Sequence, residues 1–417
     1  FILIFLSCSN SLESIEYDAK LPNLLLVSFD GFRWDYLNRA HNFDIKTPNF
    51  DALIAGGSTV AAGGVRNSFP TKTLPNHFTM VTGMYPGNHG VVHNNYWDPK
   101  YGEFTGQDDI WWNNGTAEED VASSVIPMPV WIANQRQRLY VNQSERFIRR
   151  SGVMMWPGAS ARLYNETAHK WKLYDYPATN ESRIDEVIQW FTDEVEPINM
   201  AAMYFNEPDY HGHQWGPMSR DLMQLVGDLD GIVGYLLQLL RKNDLYDKMN
   251  LIITSDHGMG EIKERIILSE HLDLTTFKTY GSSPVLLIWP LAGFEETIYA
   301  NASKIPKMMV YRKDEIPPEY HYTFNRRIPP LLFLADPGAT FCTTLANCSN
   351  IEGNHGYTNN WSDMHPFFVA HGPAFKSNHI SPEFNNVDMY AMMCQVLGIT
   401  PGPHDGNLQN INNILRS

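Results

Sequence analysis

The sequence predicts an α/β fold, three α/β/α layers with a largely parallel central sheet. Three observations carry that expectation. Short apolar runs recur at 24–29, 200–205, 251–254 and 284–289, with the length and composition of strands buried on both faces. The first three empty into polar loops: Asp30-Gly31, Asn206-Glu207-Pro208-Asp209 and Ser255-Asp256-His257-Gly258. Helical patterns separate the runs. In 219–242, Leu222, Leu225, Val226, Leu229, Val233, Leu236, Leu237 and Leu240 share one face at helical spacing, and 181–195 reads as a shorter helix. Strands alternating with helices require crossovers, hence a parallel sheet whose ligands gather beyond the strand C-termini.

The 417 residues, 43% apolar, suffice for one large domain or two ordinary ones. No repeat or low-complexity linker divides the chain. One domain is therefore expected over 21–404, between an N-terminal segment 1–20 and a tail 405–417. The stretch 95–115 is aromatic and polar, and 294–321 is rich in proline and charge; both read as insertions on that domain. A net charge of −15 disfavours a nucleic-acid backbone as partner. An acidic protein that handles phosphates must concentrate positive charge locally, and bound cations do this best.

Phe1-Ile2-Leu3-Ile4-Phe5-Leu6 followed by Ser7-Cys8-Ser9 reads as the end of a secretory signal, too short to span a bilayer, with a buried first strand as the plainer alternative. Sequons at Asn114, Asn142, Asn165, Asn180, Asn301, Asn347 and Asn360 fit an extracellular or cell-surface protein. Cys8 would leave with the signal. Cys342 and Cys348 lie close enough for a small local disulfide, leaving Cys394 buried or paired with a partner beyond Ser417. Any membrane anchor would lie outside this chain.

The chemistry centres on Ser68-Phe69-Pro70-Thr71-Lys72-Thr73-Leu74-Pro75-Asn76-His77. Two prolines make it a poor continuous helix and a good stiff loop presenting a threonine at the mouth of a helix. A threonine hydroxyl is a weak nucleophile until a base or a metal activates it. Acids and histidines at the strand ends supply candidate ligands: Asp30, Asp209, His211, His213, Asp256, His257, and His355 in a Gly-flanked loop. Taken singly, an Asp-Gly after a strand is usually a turn and a histidine among glycines a turn residue. Their recurrence at separate strand ends is what points to metal. Carboxylate oxygen and imidazole nitrogen without thiolate suit zinc or a similar ion, and six such ligands plus a threonine oxygen are what two ions roughly 4 Å apart require.

Phe29-Asp30-Gly31-Phe32-Arg33, Pro70-Thr71-Lys72-Thr73-Leu74-Pro75-Asn76-His77, Glu207-Pro208-Asp209 with Gly212-His213, Ser255-Asp256-His257-Gly258-Met259 and Asn354-His355-Gly356 together resemble the ectonucleotide pyrophosphatase/phosphodiesterase family, in its order and over residues 24 to about 400. The resemblance implies an alkaline-phosphatase-like core with two zinc ions, one on Asp30, Thr73, Asp256 and His257, the other on Asp209, His213 and His355. It makes Thr73 the nucleophile that becomes transiently phosphorylated and Asn94 the amide that holds a phosphoryl oxygen; without it Asn94 would read as a turn residue. His211 and His77 would lie outside the ligand set, His77 capping the helix start.

The family stacks a nucleoside base between two aromatic rings. Tyr174 matches one position and Tyr204 another pocket position, but Leu74 stands where the second ring belongs, which forfeits part of a stacking gain of about 1 kcal/mol. Phe32-Arg33-Trp34-Asp35-Tyr36 and Met155-Trp156-Pro157-Gly158 resemble the nucleotide-cleaving branch of the short, single-domain members. Nucleotides such as ADP, ATP or dinucleoside polyphosphates are therefore the expected substrates, cleaved to nucleoside 5′-monophosphates. The alternatives are choline phospholipids, or a catalytically weak binding protein. The stretch 139–150 reads as an insertion relative to the family.

Overall fold

The computed structural model describes residues 21–105, 127–137, 139–141 and 144–416. Segment 1–20, with the expected signal and Cys8, lies outside the described residues, as do Asn114 and Asn142.

An eight-stranded sheet runs in the order His379–Ser381, Ser58–Val60, Phe368–His371, Met249–Thr254, Asn23–Phe29, Met200–Phe205, Ser151–Met154, Lys170–Lys172. Asn23–Phe29 is central and parallel to both neighbours, and Ser151–Met154 is parallel to both of its own. Only Phe368–His371 runs against its two neighbours. Side chains on a strand alternate between faces, so one apolar run feeds two cores. Leu24 and Leu26 join Met200, Ala202 and Ile252 on one face, while Leu25, Val27 and Phe29 join Ala201, Met203, Leu251 and Ile253 on the other. Each fully buried leucine, isoleucine, valine, methionine or phenylalanine among them stabilises the fold by about 1.5–3 kcal/mol.

The helix Arg220–Lys242 covers the second face with Leu222, Val226, Leu229, Val233, Leu236, Leu237 and Leu240, and Ser219 caps it by accepting the Leu222 N–H. Asn180–Phe191 lies beside it and stops short of the expected 195, because Asp193 turns the chain by accepting the N–H groups of Val195 and Glu196. The first face is covered by Thr73–Thr82, Val130–Arg136 and Met389–Leu397, the last carrying the buried thiol Cys394.

Two expectations need correction. The run at 284–289 is not in the main sheet. It forms Val285–Pro290 of a four-stranded antiparallel sheet with Phe277–Ser282, Leu331–Ala335 and Met308–Arg312, whose Val285, Leu287, Leu332 and Leu334 face packs on the main core. Consequently 294–321 is no appendage: it contains Glu295–Ala302 and the strand Met308–Arg312 of that sheet. The tail 405–417 packs back on the domain. Ile411 and Ile414 are fully buried in the first core, and Leu415 pairs with Phe375. The stretch 95–115 begins as the hairpin Asn95–Asp98/Gly102–Thr105, and 139–150 contains the hairpin Leu139–Val141/Ser144–Phe147. Cys342 and Cys348 form a disulfide.

Candidate active site and metal centre

The threonine loop is pinned by one amide. Asn76 accepts the Ser68 N–H (2.8 Å) and donates to the carbonyls of Pro70 (3.0 Å) and Lys72 (2.9 Å). The loop thus abuts the first turn of the helix that begins at Thr73. Pro75 sits in that turn, where the missing N–H has no intrahelical partner in any case. Thr73 is half-buried, its Oγ1 3.3 Å from His257 Nε2.

Around it the structure brings six residues together as two triads, Asp30/Asp256/His257 and Asp209/His213/His355, each with ligand atoms within 4.8 Å of one another. The triads abut: the His257 and His355 rings stack with centroids 3.5 Å apart. Gly31 permits this closeness. It adopts φ +68°, and a Cβ there would lie 2.8 Å from Asp209 Cβ.

The three imidazoles are held alike. His257 Nδ1 meets the Gly258 carbonyl (2.9 Å), His213 Nδ1 that of Gly353 (2.8 Å), and His355 Nδ1 that of Thr71 (3.0 Å). A carbonyl only accepts, so each Nδ1 carries a hydrogen, and each ring in its neutral form turns an unprotonated Nε2 inward. There it meets carboxylate oxygens: His257 faces Asp256 Oδ2 (3.0 Å) and Asp30 Oδ1 (3.3 Å), His213 faces Asp209 Oδ2 (3.5 Å), and His355 faces Asp209 Oδ1 (3.6 Å). Lone pairs converging on lone pairs is an arrangement a cation resolves. Asp30 Oδ1, Asp209 Oδ1 and Asp256 Oδ2 are, moreover, buried without a hydrogen-bond donor, a condition costing about 1–3 kcal/mol each when left uncompensated. The donor set therefore fits divalent metal.

Electrostatics agree. Burial, then Asp256 and Asp209, push the Asp30 carboxyl well above the usual range. Burial opposes charge on Asp256, but His257 and His77 hold its carboxyl low. Burial likewise opposes charge on His257, yet Asp256 reverses this and raises it. His355 is pushed well down by burial, His257 and Lys72. Protein groups alone leave the crowded acids short of positive charge.

Two histidines near the centre are otherwise engaged. His77 is fully buried, with Nε2 2.9 Å from Ser28 Oγ on the central strand and Nδ1 2.8 Å from the Thr73 carbonyl at the helix start, so both nitrogens are occupied. His211 turns to Glu207 (2.8 Å) and packs on Trp215.

Asn94 accepts the N–H of Leu74, the residue after Thr73, through Oδ1 (2.9 Å), which leaves the NH2 group as its donor end. Next to Thr73 opens a cleft of ≈ 400 Å³, lined by Leu74, Trp156, Leu173, Tyr174 and Tyr204 among others. Tyr174 is 44% exposed and stands edge-on to Tyr204, while the Tyr204 hydroxyl donates to Asp30 Oδ2 (2.6 Å). One residue thus joins the cleft to the acids.

Sequence reasoning missed two cations. The Arg183 guanidinium lies 5.6 Å from the Tyr174 ring centroid and donates to the Tyr204 carbonyl; a lone arginine within an amphipathic helix gives no signal. Lys72 is buried, donates to the Ser283 carbonyl (2.8 Å), and is pushed down to about 7 by burial, with Asp209 partly offsetting. Its position before Thr73 was the only clue.

Residues 24–358 match the model of the type I phosphodiesterase / nucleotide pyrophosphatase family. The chain belongs to this family. It is 38% identical to human ectonucleotide pyrophosphatase/phosphodiesterase family member 5, over all of this chain and 82% of that one. It is 37% identical to a bis(5′-adenosyl)-triphosphatase of Xenopus laevis, over 95% of this chain and 82% of that one. The solved structure of the murine member 5 superposes with a TM-score of 0.85 at 35% identity, covering 94% of this chain and 100% of its own. An inactive threonine-to-alanine form of that murine protein, solved in complex with AMP, matches equally well, with a TM-score of 0.85 at 35% identity over 95% of this chain and 100% of that one. As a nucleotide pyrophosphatase/phosphodiesterase the chain is a hydrolase, with the family's alkaline-phosphatase-like α/β fold.

Proposed function

We propose that this hydrolase cleaves nucleotide pyrophosphate and phosphodiester bonds with Thr73 as nucleophile, releasing nucleoside 5′-monophosphates outside the cell. The observation that carries the reading is the position of Thr73 Oγ1, between two acid/imidazole triads and a cleft sized for one nucleoside. Asp30, Asp256, His257 and Thr73 would hold one zinc ion and Asp209, His213 and His355 a second; when bound, the pair lowers the Thr73 pKa and neutralises phosphoryl oxygens.

The chain's own residues do the rest. The base lies in the cleft against Tyr174, with Leu74 covering its other face and Tyr204 flooring it. This places the α-phosphorus at Thr73. Thr73 gives up its hydroxyl proton to solvent and its oxygen bonds to phosphorus as the bond to the leaving phosphate or alcohol oxygen breaks, that oxygen departing with the bonding electrons and taking up a proton from solvent. The Asn94 NH2 group donates to the phosphoryl oxygen whose charge grows in the transition state. Water then attacks the same phosphorus, the Thr73–phosphorus bond breaks, and the hydroxyl is restored. The murine relative that is inactive without one threonine, and is solved with AMP, supports both the nucleophile and the product.

An extracellular setting is supported by the Cys342–Cys348 disulfide and by the exposure of the sequon residues Asn165, Asn301, Asn347 and Asn360. Among the described residues no helix is long and apolar enough to cross a membrane.

The test is hydrolysis of a chromogenic thymidine 5′-monophosphate diester beside the matching simple phosphate monoester, before and after chelation. Diester turnover that chelation removes and zinc restores is expected. Equal turnover of the monoester would refute the nucleoside cleft, and turnover of a choline phospholipid alone would transfer the reading to lipid substrates.

A further inference from the structure

The wall of the cleft beside Thr73 stands in an exposed loop. Tyr174 belongs to the run 171–177, every residue of which is exposed, between the edge strand Lys170–Lys172 and the helix Asn180–Phe191. A stacking ring on such a loop must be ordered before it can hold a base, and that ordering subtracts from affinity. A buried cation reaches it. Arg183, only 3% exposed at the start of that helix, sets its guanidinium 5.6 Å from the Tyr174 ring centroid. We infer that Arg183 is a positioning residue of the cleft: it holds Tyr174 in place for a base and thereby sets the preference for nucleoside-bearing over nucleoside-free diesters. This rests on the nucleotide reading above.

Arg183 ties that ring to the rest of the cleft. Its Nη1 donates to the carbonyl of Tyr204 (3.3 Å), near the end of the strand Met200–Phe205, and its Nη2 donates to the carbonyl of Ala178 (3.2 Å), where the loop returns to the helix. On the core side the guanidinium lies 5.8 Å from the Phe205 ring centroid. One planar group thus joins the exposed ring, the cleft floor and the loop between them. The Tyr174 hydroxyl feels it as well: burial raises that group, while Arg183 holds it back by charge and by hydrogen bonding. A plainer role would be a staple that merely stabilises the loop. The partners argue otherwise, since they are two carbonyls and two rings rather than a carboxylate, and Nε is buried with no acceptor. A buried charge paired so weakly is a poor source of stability. What it supplies, and an apolar side chain would not, is a flat cation aimed at an aromatic ring that stays 44% exposed for a base.

The test compares the p-nitrophenyl ester of thymidine 5′-monophosphate with methyl p-nitrophenyl phosphate. They share a leaving group, but only the first carries a nucleoside. In Arg183→Met the ratio of their kcat/KM values, nucleoside-bearing to nucleoside-free, should fall about fivefold, within the scale of one base stack and chiefly through KM. Tyr174→Ala should lower the ratio at least as far. Adding Arg183→Met to Tyr174→Ala should then change it by less than about twofold, because a residue that acts through the ring has nothing left to hold. Arg183→Lys retains the buried charge without the planar fork; a smaller fall in the same direction is expected, which keeps the test decisive should the methionine variant not fold. A wild-type ratio in the Arg183 variants, or a fall that persists in full without the tyrosine ring, overturns the positioning role and leaves the nucleotide reading standing. A ratio that Tyr174→Ala does not alter overturns both.

Discussion

At the scale of single residues, reactivity is set by side chains aimed by backbone carbonyls. His257, His213 and His355 owe their inward Nε2 atoms to the carbonyls of Gly258, Gly353 and Thr71. The acids are aimed by neighbours too, and Tyr204 is the neighbour that Asp30 shares with the cleft. Tyr204→Phe deletes that donor while keeping the ring. Ten- to a hundredfold weaker zinc binding is expected, roughly the effect of losing such a supporting contact, with a fall in kcat. Zinc titration followed by inductively coupled plasma analysis checks it; unchanged affinity would show Tyr204 serving the cleft alone. Thr73→Ala is expected to lower kcat by on the order of 10³ or more while AMP still binds, because only the bond-forming oxygen is gone. Steady-state kinetics with parallel AMP binding measures this pair of outcomes.

At the scale of elements, the fold uses a long-range cap that no local pattern reveals. Asp230 lies on the buried face of Arg220–Lys242, and its carboxylate accepts the N–H groups of Asn49 (2.9 Å) and Phe50 (2.8 Å) at the start of the helix Pro48–Gly56. Asp230→Ala leaves those donors buried and should cost about 1–3 kcal/mol, read as a lower denaturant midpoint at unchanged slope. The strand ends and the long helix were legible because each follows a fixed period and ends at punctuation such as Asp30-Gly31. Asp230 was not, because an acid in an apolar stripe looks like noise until its partners 180 residues away are known. The strand 285–290 misled for a related reason: an apolar run states that it is buried, not against which sheet.

At the scale of the whole molecule, a negatively charged chain gathers three carboxylates at one point and buries several neutral imidazoles around it. Burial pushes His89 down to about 3, and lowers His77 and His93 as well. A histidine depressed in the folded state lets the unfolded chain take its proton first. Its contribution is therefore intact above about pH 6.5 and is lost as pH falls from there towards 3. Urea midpoints should drop between pH 7.5 and pH 5, and a flat profile would contradict the burial of these rings. Chelation should also lower the melting temperature, with zinc restoring it, since Asp30, Asp209 and Asp256 then repel one another uncompensated. The motifs made the two triads legible in the sequence. Their accessory cations were not, since Arg183 and Lys72 acquire meaning only when Tyr174 and Ser283 arrive from distant segments.

The most direct test of the central claim is a rapid acid quench of wild-type protein during turnover of a thymidine 5′-monophosphate diester, followed by peptide mass mapping. The expected result is a nucleoside monophosphate adduct on Thr73, absent after chelation. Steady turnover with Thr73 never modified, or a Thr73→Ala protein as fast as wild type, would contradict the account.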